Sequence, residues 1–91
     1  MSKTYNIIDC FEWAITEAMK RNLNSVYFWV NEDEYYPSRD WGMSAYHAVI
    51  KLGGKLYDIS GGISIREVKK KYKFGNRLVR VNLSRILKEY C

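Results

Sequence analysis

The run HAVIKLGGKLYDISGG, residues 47–62, constrains the fold of this 91-residue chain more than any other stretch. Two segments that alternate apolar and polar residues flank Gly53-Gly54, and a glycine pair supplies the positive φ that a two-residue hairpin turn demands. Such a turn dictates the strand register: His47 falls opposite Ser60, and Val49 opposite Asp58. Asp58 then stands diagonal to His47. Because His47 and Val49 alternate to the same side of their strand, the imidazole and the carboxylate share one face. A slip of a single residue would turn the carboxylate away.

The rest of the chain supplies partners for this hairpin. SVYFWVN at 25–31 is β-branched and aromatic, a strand by composition. MSAYHAVIKL at 43–52 places Tyr46, Ala48, Ile50 and Leu52 on one side and His47, Val49 and Lys51 on the other. Ahead of these, CFEWAITEAMKR predicts an amphipathic helix, with Asp9 as its cap, Glu12 completing a capping box and Cys10 at the first helical position. Phe11, Ala14, Ile15, Ala18 and Met19 form its apolar stripe, Trp13 lies at the edge, and Asn22-Leu23-Asn24 ends it. After Gly61-Gly62, Ser64 and Glu67 form a second capping box for a short basic helix, in which Ile65, Val68 and Tyr72 make the apolar line. RLVRV at 77–81 reads as an outer strand and NLSRILKEY as a last helical turn or two.

The expected order is helix-strand-strand-strand-helix-strand-helix. That is an α+β fold, an N-terminal helix packed on a small antiparallel sheet, with residues 1–91 forming a single compact domain.

A thiol at a helix start lies against unpaired amide hydrogens and the positive end of the peptide dipoles, which favours its thiolate. An imidazole brought from elsewhere takes the thiol proton, and a carboxylate pins the imidazole tautomer. Cys10, His47 and Asp58 are the three residues of this kind. Simple burial of Cys10, and a His47 satisfied by Asp58 without reaction, are the plainer alternatives. The same three lack a clear fourth ligand for zinc, and the consecutive Glu32, Asp33 and Glu34 are poorly spaced to converge on a cation. Neither a metal nor a cofactor is expected.

The elements DCFEWA at 9–14 and HAVIKLGGKLYDISGG at 47–62 resemble those of papain-like, NlpC-type and transglutaminase-like cysteine proteins, a class that includes short phage-encoded forms. The likeness covers about the first two-thirds of the chain. It implies a hydrolase or acyltransferase acting on an amide-type bond through a thioester, with Cys10 as nucleophile, His47 as base and Asp58 as orienting group. Trp13, Trp41 and Tyr46 would wall the cleft, and backbone amides near Cys10 would bind the oxyanion. Only about 36 residues separate Cys10 from His47, a shorter cleft-building segment than such enzymes use.

Charge and aromatic content point to a second function class. Aromatic rings make up 15% of the residues, more than packing requires, so some should face a groove or a partner. Residues 1–62 hold six Lys or Arg against eight Asp or Glu, whereas 63–91 hold nine against two. The acidic, aromatic loop containing Tyr35, Tyr36 and Trp41 suits a protein interface. The basic cluster Arg66, Lys69, Lys70, Lys71 and Lys73 suits an acidic surface or phosphates without sequence preference. The alternative function is therefore a non-enzymatic protein-binding module on the same scaffold, such as a phage-encoded inhibitor of a host enzyme or defence nucleoprotein complex. Expected partners are a peptide or protein substrate, or such a host complex. Two cysteines make no disulfide framework, and the lack of a long apolar run implies no membrane partner; a cytoplasmic location is expected, the host's if the chain is phage-encoded.

Overall fold

Gly53 and Gly54 adopt φ of 56° and 84°, the two positive values a type I′ hairpin turn needs. The strands they join, His47–Leu52 and Lys55–Asp58, pair antiparallel with Ile50 opposite Tyr57 and Leu52 opposite Lys55. This is the register the glycine pair dictates. The computed structural model describes residues 5–33 and 45–90, with side chains for 10–33 and 45–88. Its described elements are α1 (Tyr5–Lys20), β1 (Ser25–Val30), β2 (His47–Leu52), β3 (Lys55–Asp58), β4 (Gly61–Ile63), α2 (Ile65–Lys71), β5 (Arg77–Asn82) and α3 (Leu83–Tyr90). The five strands form one antiparallel sheet in the order β4-β3-β2-β1-β5.

The fold is α+β, with the N-terminal helix on an antiparallel sheet. One strand more is present than the pattern suggested. Asp58 Oδ1 accepts a hydrogen bond from the Ser60 amide at 2.8 Å, an Asx turn that reverses the chain over Ile59-Ser60. Gly61–Ile63 therefore returns along β3 as β4. The two glycines begin a strand rather than merely ending one.

Helix α1 also starts earlier than its capping signal indicates. It begins at Tyr5, so residue 9 is helical rather than a cap and Cys10 is the sixth helical residue. No glycine or proline interrupts residues 5–8, and Ile8 extends the apolar spacing that Phe11 and Ile15 continue. Aspartate inside a helix costs only a few tenths of a kcal/mol, about what continued hydrogen bonding offsets. The other end matches its signal: Asn22 takes φ 57°, Leu23 N–H reaches Ala18 O at 2.8 Å and Asn22 N–H reaches Met19 O at 3.2 Å. Those two bonds form a Schellman cap.

Alternation along the strands divides the sheet into two faces. On one, Val26, Phe28, Val30, Ala48 and Ile50 pack with Ala14 and Ala18 of α1 and Ile86 of α3. Two alanines let α1 approach the strands closely, and Phe11 meets Phe28 edge-on with centroids 5.5 Å apart. The opposite face carries Trp29, His47 and Val49, all buried. Trp29 and His47 are covered by the segment that follows α2.

Candidate active site

His47 opens β2, and Tyr46 N–H bonded to Trp29 O at 2.8 Å extends the β1–β2 pairing just ahead of it. The ring is 2% exposed. Asp58, the last residue of β3, reaches it from the diagonal position: Oδ2 lies 2.9 Å from Nε2. Since Oδ1 is held by the Ser60 amide, both carboxylate oxygens have partners and the group cannot swing away. Cys10 approaches from α1, with Sγ 3.4 Å from Nδ1. An ionised carboxylate only accepts hydrogen bonds, so Nε2 keeps its proton toward Asp58 and Nδ1 turns toward the sulfur.

The three residues singled out from the sequence are thus in mutual contact, in the order thiol, imidazole, carboxylate, the geometry of a cysteine-protease-like triad. One part of the expected electrostatics is overturned. Only the first four amides of a helix lack intrahelical partners, and Cys10 is sixth in α1. Neither the end of the helix dipole nor a free Cys10 amide acts at the sulfur. Stabilisation of a thiolate there rests on the facing imidazole instead.

Tyr72 escaped the sequence reading, which gave it only a place on the apolar face of a basic helix. It is the C-cap of α2, and its ring stacks on His47 with centroids 4.3 Å apart and planes 15° from parallel. Its carbonyl accepts from Trp29 Nε1 at 2.8 Å. Further along the same segment, Asn31 Nδ2 donates to Phe74 O at 2.9 Å and Asn76 N–H to Val30 O at 2.8 Å. Burial pushes the Tyr72 phenol above its ordinary value, and the negative charges of Cys10 and Asp58 add to that shift. The one available signal was the i, i+4 spacing of Tyr72 from Val68, the single α2 residue that is fully buried.

The remaining candidates divide. Trp13 lines a cavity of about 350 Å³ together with Ile50, Leu52, Tyr57, Asp58 and Ile59, beside the carboxylate end of the site. Tyr46 faces Phe74 instead, with centroids 6.2 Å apart. Tyr35, Tyr36 and Trp41 lie outside the described residues. Arg66, Lys69, Lys70, Lys71 and Lys73 are all exposed, on α2 or just after it. Ile65 is 41% exposed, so the apolar line expected on α2 shortens to Val68 and Tyr72. Among the described residues, no helix is long and apolar enough to cross a membrane. Neither a protein-family model, nor a curated protein, nor a solved structure matches this chain.

Proposed function

We propose that this protein is a cysteine hydrolase or acyltransferase acting on an amide-type bond, with Cys10 as nucleophile, His47 as proton carrier and Asp58 as the group that orients the imidazole. The observation carrying this reading is the continuous contact from Cys10 Sγ through both ring nitrogens of His47 to Asp58 Oδ2. In the reactive form Nδ1 has taken the thiol proton, and the imidazolium lies between a thiolate and a carboxylate. Sulfur attacks the acyl carbon. Nδ1–H then protonates the leaving nitrogen as the C–N bond breaks, leaving a thioester on Cys10. Water, or an acceptor amine, next gives a proton to Nδ1 as it attacks the thioester, and breaking of the C–S bond returns the thiolate. The substrate is a peptide or protein.

The test uses p-nitrophenyl acetate, an activated ester that requires no knowledge of the natural substrate, on protein carrying Cys91→Ser. Release of p-nitrophenol in step with acetylation of Cys10, lost in Cys10→Ala and slowed at least tenfold in His47→Gln, is expected. Acetylation of Cys10 at the same rate in the wild type and in His47→Gln would overturn the reading.

A second reading is favoured by Phe74, which is 74% exposed beside Lys73 and the lysines of α2. An apolar anchor rimmed by cations suits docking on an acidic protein surface, and this binding role needs no turnover. Arg66, Lys69, Lys70, Lys71 and Lys73 would supply the rim, and Tyr35, Tyr36 and Trp41 a further contact. A module of this kind would act as an inhibitor of an enzyme or nucleoprotein complex, with non-specific phosphate contact through the same cations. Charge reversal at Lys69, Lys70 and Lys71 together with Phe74→Ser would abolish such docking; an unchanged interaction excludes this surface.

A further inference from the structure

We infer that Tyr72 is a positioning residue for the proposed Cys10–His47 chemistry: its ring holds the imidazole in line between sulfur and carboxylate and favours the charged imidazolium. The inference rests on the proposed function and adds a residue to it.

Three observations on separate elements converge on Tyr72. The first is the stack itself, nearly parallel at 4.3 Å, which leaves the imidazole little freedom to rotate out of line with Cys10 and Asp58. A second is the anchoring of the backbone beneath the ring. Trp29 Nε1 and the Gly75 amide both donate to the Tyr72 carbonyl, at 2.8 Å and 3.2 Å, and Trp29 is itself the cross-strand partner of His47. The same indole therefore flanks the imidazole and anchors the residue stacked on it. Third, Tyr72 closes α2, where its N–H reaches Val68 O at 2.8 Å, and Val68 is fully buried. Its position is thus set from two sides.

The face of an aromatic ring is electron-rich and attracts a cation placed over it. A neutral imidazole gains little from that field, whereas an imidazolium gains from it directly, so the stack favours the state in which the thiol proton has moved to Nδ1. His47 and Asp58 are themselves buried, at 2% and 4% exposure, so the carboxylate acts on the imidazolium at lower dielectric than in water. The titratable groups facing His47 among the described residues are Cys10 from α1, Asp58 from β3 and Tyr72 itself. β1 presents the uncharged Trp29. A phenol is protonated near neutral pH, and burial shifts that of Tyr72 further the same way, so no negative oxygen of its own complicates the balance there.

The pH dependence of Cys10 alkylation by iodoacetamide reports this, since only the thiolate displaces iodide. All proteins carry Cys91→Ser. Tyr72→Phe keeps the aromatic face and is expected to follow the wild-type profile closely. Tyr72→Leu removes it, and the inflection for thiolate formation should rise by about half to one pH unit, roughly a three- to tenfold loss of thiolate on the rising limb. Tyr72→Met is run in parallel so that one folded non-aromatic variant suffices, and the His47 ring resonances are titrated by NMR in each. If the Leu and Met profiles superimpose on the wild type while His47→Gln shifts, the role assigned to Tyr72 is overturned and the thiolate–imidazolium pair stands. If His47→Gln also superimposes, the pair itself is absent and both readings fall.

Discussion

The indole of Trp29 occupies the space in which any side chain at position 75 would begin. A Cβ on Gly75 would stand 2.2 Å from Trp29 Nε1 and 2.4 Å from Cδ1, well inside van der Waals contact. Because Trp29 is 2% exposed and its Nε1 is committed to the Tyr72 carbonyl, neither partner can yield without cost. Glycine at 75 is what lets the segment after α2 lie flat on the sheet and bring Tyr72 over His47.

Gly75→Ala should therefore destabilise the fold by about 1–3 kcal/mol, the usual cost of forcing extra volume into a packed interior. Because the clash pushes on the anchor of Tyr72, the ring-current shifts that His47 feels should change as well. Urea unfolding and the His47 ring resonances measure the two effects. A variant with wild-type stability and unchanged His47 shifts would show that the close fit of Gly75 to Trp29 does not hold Tyr72 over His47.

Asp58→Asn keeps an oxygen for the Ser60 amide but removes the negative charge beside a buried imidazole. Charging His47 then leaves a cation without its compensating carboxylate, so the imidazolium–thiolate pair should become less favourable. Alkylation of Cys10 at neutral pH is expected to slow by about tenfold or more, with the fold retained. Circular dichroism and the iodoacetamide rate separate chemistry from unfolding.

Tyr72 produces a stability effect at alkaline pH. Burial, followed by the charges of Cys10 and Asp58, raises its phenol above the ordinary value of 10.0. The folded state thus holds this proton more tightly than the unfolded chain does. The resulting contribution is fully present below about pH 10 and is lost as pH rises through the higher folded value. Between about pH 9 and pH 11 the urea midpoint of the wild type should fall further than that of Tyr72→Phe, which has no proton to lose. Equal falls in the two proteins would show that Tyr72 titrates as it does in the unfolded chain.

Position 54 tests the link between turn and site. Gly54 has φ 84°, and a Cβ there meets no neighbouring atom, so Gly54→Ala adds backbone strain without a clash. A loss of about 1–2 kcal/mol is expected from that strain. The hairpin register also sets Asp58 beside His47, and so the variant should weaken their hydrogen bond if the turn relaxes by opening. The His47 Nε2–H proton resonance, shifted downfield by its carboxylate partner, gives the readout.

Much of this architecture was legible before folding is considered. The register of β2 and β3 follows from two adjacent glycines between alternating segments, a local property, and the meeting of His47 with Asp58 follows from that register. The capping box of α2 and the end of α1 are equally local, set by side chains within a turn of the backbone groups they satisfy.

What the folded structure decided combines competition between local signals with contacts between residues far apart along the chain. A strong cap residue, Asp9, was overridden by continuation of the helix, because a capping preference is worth about a kcal/mol and a longer helix offsets it. β4 formed because the Asp58 Asx turn brought three short residues back to an open strand edge. Tyr72 came to rest on His47 only because Trp29, 43 positions earlier, anchors its carbonyl and Gly75 leaves room for the indole. The spacing from Val68 turns Tyr72 toward the interior but does not say which residue it meets, because that contact exists only once a separate segment has docked on the sheet.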